Sequence, residues 1–404
     1  MFQIAKKIYL FISNYIIENN FFPYRGLKKY DLIIYDDIFP HPVSGFRLEE
    51  FTILLSEFKN SKCMLVPEAY NVIKTPIEEH QNHITKFNSQ NPSLKSKIRL
   101  KNRFYNINTK LFYCVFISNI YKNLNWLEKF KIPFVFTLYP GGRFIINDEA
   151  SDLMLTKVLS SPMLRKVIVT QNFTKEYLLK NNFCSEDKIE FIFGGVVPQI
   201  SLHKNLTNRK NYLKNKTTLD ICFCAAKYSP KGEDKGYDIF IEAAHSLVSK
   251  FDFIQFHIIG GFNENDIDVT TIKNKVTFYG FQKYEELEAI FKEMDIMISP
   301  NKPFLLNKGS FDGFPLGTVV EAALNGVVVL ISDDLKQNTT FVDNEELIII
   351  ESNINSIVEK VIKLIENPIK LEEISNKGNL KFSKIYSNQV QMNPRIDLLK
   401  KLAV

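Results

Sequence analysis

The sequence predicts an α/β protein with two doubly wound domains that face a shared crevice. Its 404 residues correspond to two or three domains, at roughly 150 residues per domain. Short β-rich apolar runs alternate with amphipathic helical stretches along almost the whole chain, a pattern typical of βα units around a parallel sheet. A polar stretch from Ser201 to Thr218 interrupts this pattern, which then restarts.

In the first half of the chain, fully apolar runs predict strands that are covered on both faces. They lie at 30–36, 62–67, 111–118, 132–139, 166–170 and 188–193. We therefore assign residues 1–200 to an N-terminal domain and residues 201–218 to a linker.

In the second half, similar runs predict strands at 219–226, 253–259, 275–280, 295–299, 326–332 and 346–350. Between the first two of them, Phe240, Ala243, Ala244 and Leu247 recur at the spacing of one helix face. We assign 219–382 to a C-terminal domain. The helical segment 383–404 is expected to cross back to the first domain.

The composition is that of a folded globular protein, with 45% hydrophobic and 24% charged residues. These values argue against a disordered chain, a collagen or a disulfide scaffold. The formal charge of +6 is small and does not indicate nucleic-acid binding. The five cysteines form no CxxC pattern, so we expect buried thiols without zinc or disulfides.

No uninterrupted apolar run reaches the length of about 18 residues that a membrane span requires. Residues 1–22 combine a basic start with an apolar stretch, but polar residues interrupt it and no small-residue cleavage site follows. We therefore expect a cytoplasmic protein, with association at the inner face of a membrane as an alternative.

The most informative motif is FDGFPLGTVVEAALN, which runs from Phe311 to Asn325. Its glycines permit close approach of a ligand, and the helix that opens near Thr318 presents amide groups suited to phosphate. Glu321, one turn into this helix, is suited to hydrogen bonding with a sugar or ribose diol. In the alternative interpretation, Thr318 and Glu321 form a capping box and have only a structural role.

This motif resembles that of retaining GT-B glycosyltransferases of family 4, also described as glycosyl transferases group 1. The resemblance implies two Rossmann-like domains, with Glu321 on the ribose and Asp312 on the sugar. It also places Phe314, Gly317 and Thr318 at the donor. In the family seven residues separate the two acids, whereas eight separate Asp312 and Glu321 here.

A second match surrounds Lys227 and the Lys235-Gly236 pair, which resemble the basic residues of the family that face the donor diphosphate. Fixed cations at this position stabilise the charge that develops on the leaving diphosphate. The alternative is a solvated basic loop. Gly261 and Phe281 follow two further strands and are expected to shape the phosphate and base pockets.

In the N-terminal half, the loop after the first strand is expected to direct His41, Gly45 and Arg47 into the crevice, on the acceptor side. His41 precedes a proline, and an exposed rigid turn is an equally good interpretation. Tyr139 stands where family members often have histidine. Its hydroxyl can bond a sugar but cannot replace an imidazole near neutral pH. Gly142 and Arg143 are expected at the crevice rim.

The stretch from Leu94 to Lys110 contains six Lys or Arg residues and no acid, interleaved with apolar residues. Within it, residues 95–110 are candidates for contact with anionic lipid or a phosphorylated acceptor. The alternative is a solvated basic loop. No nucleic-acid-binding module is recognisable.

The resemblance implies transfer of a sugar from a nucleoside diphosphate to a carbohydrate or lipid-linked glycan, with retention of configuration and no metal or other cofactor. Bacterial-type surface polysaccharide or glycoconjugate synthesis is the expected setting. Two alternatives remain open: a nucleotide-sugar epimerase of the same fold, and a non-catalytic subunit of a polysaccharide assembly complex that binds sugar or membrane.

Overall fold

The computed structural model describes residues 22–404 apart from 101–103, 199, 201, 203–205 and 207–208. Its first unit contains strands β1 to β9: Phe22–Tyr24, Tyr30–Asp36, Ser61–Leu65, Ile98–Leu100, Phe104–Asn106, Thr109–Val115, Phe134–Leu138, Leu164–Val169 and Ile189–Phe191. Seven of them form one parallel sheet in the order β4-β3-β2-β6-β7-β8-β9, and β1 pairs with β5 in a separate ribbon. Helices α1 to α6 connect these strands: Gly45–Glu57, Glu68–Val72, Glu79–Gln90, Ile117–Lys129, Glu149–Leu159 and Asn172–Lys180.

The second unit contains strands β10 to β15: Leu219–Cys224, Ile254–Ile259, Val276–Gly280, Ile296–Ser299, Val328–Ser332 and Ile348–Ile350. They form a parallel sheet in the order β12-β11-β10-β13-β14-β15. Its helices are α7 to α12: Tyr237–Val248, Tyr284–Phe291, Gly317–Leu324, Ile354–Glu366, Pro368–Ile385 and Asn388–Leu402. The predicted apolar face of α7 is buried. In both sheets β-α-β crossovers reverse the strand order at the centre, and this arrangement confirms the predicted doubly wound fold.

Three short strands, β1, β4 and β5, were not predicted, because none of them lies in an apolar run of the kind that marks the equally short β9 and β15. Their positions correct the alternatives for residues 95–110, which do not form one open loop. Ile98 to Leu100 instead make the edge strand of the first sheet. Lys101 and Arg103 lie outside the described residues.

The last helix, α12, packs on the first unit. Met392, Ile396 and Leu399 share a hydrophobic core with Leu54 and Leu55 of α1. Within the stretch predicted as a linker, the residues from 209 onward pack on the second unit. Arg209 is buried there and donates hydrogen bonds to the Met294 carbonyl and to Ser375.

All five cysteines have free thiols, and four of them are buried. Across the described part of the chain, no helix combines the length and the apolarity that a membrane crossing requires.

Candidate active site

The loops that follow β10, β11, β12 and β13, together with the start of α9, form one edge of the second sheet. We call this region the C-terminal edge, because it belongs to the C-terminal unit. Since parallel strands end on the same side of a sheet, these loops meet at the place where doubly wound folds bind ligands. The predicted donor residues lie here.

Lys227 follows β10 and forms an ion pair with Asp266, which lies in the loop after β11. The Lys227 Nζ and Asp266 Oδ1 atoms are 2.5 Å apart. The other oxygen of Asp266 accepts a hydrogen bond from the Asn263 amide at 2.9 Å. The ammonium group therefore has a fixed position at the C-terminal edge, because its carboxylate partner is itself held by the backbone.

Lys235 lies in the same region, and its Nζ forms an ion pair with the Asp312 carboxylate. Its side chain is only 6% exposed and lies over the Tyr228 ring at 5.2 Å from the centroid. The next residue, Gly236, has φ of +71°, and a Cβ there would lie 2.1 Å from the Pro300 carbonyl oxygen. Glycine is therefore required for the backbone turn that directs Lys235 toward Asp312.

Helix α9 begins at the C-terminal edge with Leu316, not Thr318, as its N-cap residue, and Leu316 makes no side-chain capping hydrogen bond. The capping-box alternative for Thr318 is therefore wrong. The Thr318 hydroxyl instead donates to the Cys224 carbonyl at the end of β10, at 3.0 Å. The first turn of α9 is thus tied close to the strand that leads to Lys227, and its leading amide groups have no acceptor within the helix.

Gly317 and Glu321 lie on this first part of α9. Gly317 is exposed, and no atom lies within 4 Å of the position that a Cβ would take. Glu321 is half-buried one turn later. The helix start therefore offers an open approach to its amides, with a carboxylate nearby.

Phe281 marks the outer border of the C-terminal edge, and its side chain is 75% exposed. A Cβ on Gly261 would lie 2.9 Å from the Phe281 ring and 3.7 Å from Lys227 Cβ. Glycine at position 261 therefore allows the ring to lie against the loop that also borders Lys227.

The loop that carries Asp312 is held between the two units. The Phe314 amide donates to Gln171 Oε1 of the first unit at 3.1 Å. Phe311 packs edge-on against Phe144 and Phe173, with ring centroids 5.7 and 5.4 Å apart. The position of Asp312 thus depends on the first unit as well as the second.

The corresponding loops of the first sheet follow the carboxyl ends of β2 and β7. We call them the N-terminal edge, because they belong to the N-terminal unit. Gly45 is the first residue of α1, and a Cβ there would lie 3.5 Å from Pro198 at the junction of the units. Gly142 and Arg143 lie in the turn after β7, where Arg143 is exposed. In the same turn, Pro140 approaches Gly313 of the Asp312 loop.

His41 is half-buried in a cluster with Tyr70 and two further histidines, rather than in an isolated exposed turn. Its ring centroid lies 4.5 Å from that of His83 and 5.1 Å from that of Tyr70. Burial, together with the positive charges that His83 and His80 would carry, lowers the pKa of His41 to about 4. The imidazole is therefore neutral near pH 7.

The prediction that Arg47 projects into the crevice is wrong. The side chain is 11% exposed and pairs with Asp36 at 3.0 Å and Asp37 at 2.5 Å. Its guanidinium also lies over the Phe116 ring, 4.6 Å from the centroid. Burial raises the pKa of Asp36 to about 6, against the attraction of Arg47. Arg47 therefore compensates two carboxylates beneath the N-terminal edge.

The expectation that Tyr139 bonds a sugar is also wrong. Its ring is buried, and its hydroxyl donates to Glu50 Oε2 at 3.2 Å and accepts from Arg395 at 3.4 Å. Glu50 and Arg395 are both fully buried. Tyr139 therefore links the first unit to α12, and its hydroxyl is committed to that contact.

Several solved structures have a similar fold over most of the chain. Sucrose-phosphate synthase from Thermosynechococcus elongatus matches with a TM-score of 0.62 and 13% identity, over 92% of this chain and 98% of that one. A Rickettsia africae glycosyltransferase has the same TM-score and 14% identity, over 93% and 98%. HepE from Anabaena, in complex with UDP and glucose, has a TM-score of 0.61 and 12% identity, over 93% and 97%.

The sequence of residues 206–381 matches the family described as Glycosyl transferases group 1. The chain has the GT-B fold of these solved structures, and its second half matches the group 1 glycosyltransferase family. No functionally curated protein matches the sequence. The matched range contains the whole second sheet and every residue of the C-terminal edge, including Lys227, Lys235 and Glu321.

No sequence pattern revealed three residues that contact the predicted site: Asp266, Gln171 and Gln337. Gln337 donates to the Asp312 carbonyl at 3.2 Å. None of them lies within a recognisable motif. For Asp266, the acid-rich run after Gly261 was the only available signal. Within the described residues, no group of three His, Cys, Asp or Glu side chains is arranged to hold a metal ion.

Proposed function

We propose that this protein is a glycosyltransferase that binds a nucleoside diphosphate sugar at its C-terminal edge. The observation that carries this proposal is the gathering of Lys227, Lys235 and the open start of α9 at one edge. Lysine ammonium groups and the amides of a helix start both favour a diphosphate. HepE, a protein of similar fold, was solved with UDP-glucose, which makes uridine donors the first to test.

The remaining donor roles follow from the arrangement around the diphosphate. Glu321 receives the ribose hydroxyls, and the exposed Phe281 ring borders the base. Diphosphate replaces Asp312 as the partner of Lys235, which releases the Asp312 carboxylate to bond the donor sugar. Through this exchange of partners, Lys235 can bind the diphosphate although its side chain is nearly buried.

In the transfer step, the bond between the sugar anomeric carbon and the diphosphate oxygen breaks while the acceptor oxygen bonds to the same carbon. The acceptor proton passes to the diphosphate or to solvent. Negative charge grows on the leaving oxygen, so Lys227 and Lys235 stabilise the transition state more than the bound donor. We propose no metal requirement, because the two lysines supply the positive charge. We also propose retention of configuration, which requires the acceptor oxygen to attack the face of the anomeric carbon that the diphosphate leaves.

The acceptor is proposed to bind at the N-terminal edge, beside Gly45, Gly142 and the exposed Arg143. We propose a carbohydrate or lipid-linked glycan of bacterial-type surface polysaccharide or glycoconjugate synthesis. The enzyme would act in the cytoplasm, peripherally at the inner face of the membrane. The turn after β7 supports this placement, since it borders the loop that carries Asp312.

The test is nucleoside diphosphate release from a panel of nucleotide sugars, with and without glycan acceptors and chelator. Wild type is expected to turn over one donor in the presence of chelator. Glu321→Ala is expected to lose about a hundredfold in kcat/KM, the effect of a lost charged hydrogen bond. Glu359→Ala, which changes an exposed glutamate of α10, is the matched control.

Equal rates for wild type and Glu321→Ala would contradict the role of Glu321. If the product sugar remains attached to the nucleotide, the reaction is epimerisation and the proposal of glycosyl transfer is wrong. Loss of activity with chelator, restored by a divalent cation, would contradict the metal-free mechanism.

A further inference from the structure

A cluster of cations lies at the end of the first sheet that is remote from the crevice. We call it the basic edge, and it consists of Lys28, Lys62, Lys97 and Arg99 around Tyr30. The ammonium groups of Lys28 and Lys62 lie 5.4 and 6.0 Å from the Tyr30 ring centroid. Burial lowers the pKa of Lys62, and the nearby charges of Arg99, Lys28 and Lys97 lower it further. The four charges therefore act on one another.

None of these four cations forms an ion pair with a carboxylate among the described residues. Lys97 donates to the carbonyls of Leu55 and Phe58 near the end of α1, and Lys62 donates to the Ser96 carbonyl. These bonds hold the cations in place but do not neutralise them. Close like charges without a counter-charge are unfavourable, so the basic edge is suited to an anionic partner.

Exposed apolar side chains lie in the same two chain segments as the cations. Leu27 is fully exposed, and Tyr24 and Leu100 are about half exposed. Exposed cations accompany them at Lys29, next to Lys28, and at Lys95. A soluble polyanion makes no use of exposed leucine, whereas a membrane surface accepts apolar side chains between its headgroups and attracts lysine and arginine.

We infer that the basic edge is a docking surface for an anionic lipid membrane. Tyr30 begins β2, whereas the N-terminal edge follows its other end at Asp36. Docking through the basic edge therefore leaves the crevice open to substrates. This inference does not depend on the proposed donor or acceptor, because it concerns a surface outside the candidate active site.

The experiment is flotation of the full-length protein with vesicles of phosphatidylcholine alone or mixed equally with phosphatidylglycerol. Wild type is expected to float with the mixed vesicles and not with the neutral ones. Lys28→Gln/Arg99→Gln is expected to lower the partition coefficient about thirtyfold, at the usual contribution of each basic residue near a charged bilayer. Lys180→Gln/Lys250→Gln removes two exposed lysines elsewhere and is expected to change it little.

Leu27→Ser tests the lipid part separately and is expected to weaken flotation several-fold without any change in charge. Flotation that Leu27→Ser leaves unchanged would overturn the lipid assignment in favour of a soluble polyanion. Failure of wild type to float, or equal losses in the two double variants, would overturn the inference altogether. Thermal unfolding of each variant checks that the fold is retained.

Discussion

The two edges of the crevice use their charged residues in opposite ways. At the C-terminal edge, Lys227 and Lys235 each pair with an aspartate of a neighbouring loop, close to an open helix start. At the N-terminal edge, Arg47 and Tyr139 are held in buried contacts beneath the loops. The same position after a parallel strand thus serves ligand binding in one unit and assembly in the other.

For Tyr139, the difference follows from α12. This helix crosses to the first unit and brings the fully buried Arg395 to the hydroxyl of Tyr139, which also donates to Glu50. A third group, the Tyr113 hydroxyl, donates to Glu50 as well. At the strand ends of the second unit, Lys227 and Lys235 pair instead with aspartates of neighbouring loops.

Among these predictions, Arg395→Met is expected to have the largest effect. Removal of one charge from a buried network leaves Glu50 uncompensated, and we expect a loss of about 3 kcal/mol in the free energy of unfolding. Lys400→Met is the matched control, because Lys400 lies on the same helix and pairs with Glu57 of α1 at the surface. It should cost less than about 1 kcal/mol. Denaturant unfolding measures both, and equal losses would contradict a structural role for the network.

At the other edge, Lys235→Met should change binding rather than stability. We expect nucleoside diphosphate affinity to fall about thirtyfold, the effect of a lost charge-assisted hydrogen bond. Lys273→Met, which breaks the exposed pair with Glu264, should leave affinity unchanged. Calorimetric titration measures the dissociation constants. Unchanged affinity in Lys235→Met would remove Lys235 from the donor site.

Asp266→Asn tests whether Lys227 binds phosphate, because it removes the carboxylate that competes with phosphate for this lysine. We expect nucleoside diphosphate to bind about tenfold more tightly, because one negative charge near the phosphates is removed. The gain for the monophosphate should be smaller. Glu264→Gln, in the same loop, is the control. Weaker binding by Asp266→Asn would show that the carboxylate serves mainly to position the lysine.

The smallest effect is expected from His41→Gln at the N-terminal edge. The pKa of His41 in the folded protein is about 4, below its ordinary value near 6.5. The neutral form is therefore favoured by folding. Its contribution to stability is complete above pH 6.5 and is lost as the pH falls toward 4. Wild type should lose more melting temperature than His41→Gln over this interval; parallel losses would exclude His41 as the source.

Much of the fold was predictable, and the limits have physical causes. Each of the twelve predicted strands appears, because an apolar run marks it in the sequence. Ile98 to Leu100 lies among basic residues instead of in such a run, so no pattern predicts it. Lys227 and Lys235 were placed at the correct edge by their positions after a strand. Arg47 and Tyr139 also follow this rule, but their contacts with Asp36 and with the distant Arg395 depend on packing that no local pattern encodes.

The central claim is that the C-terminal edge holds the donor diphosphate. A crystal structure with the nucleoside diphosphate that binds most tightly tests it directly. We predict phosphate oxygens within hydrogen-bond distance of Lys227 Nζ, Lys235 Nζ and the first amides of α9, with the ribose at Glu321 and Asp312 released from Lys235. A diphosphate bound at the N-terminal edge, or a Lys235–Asp312 pair that stays closed beside the bound nucleotide, would contradict the account.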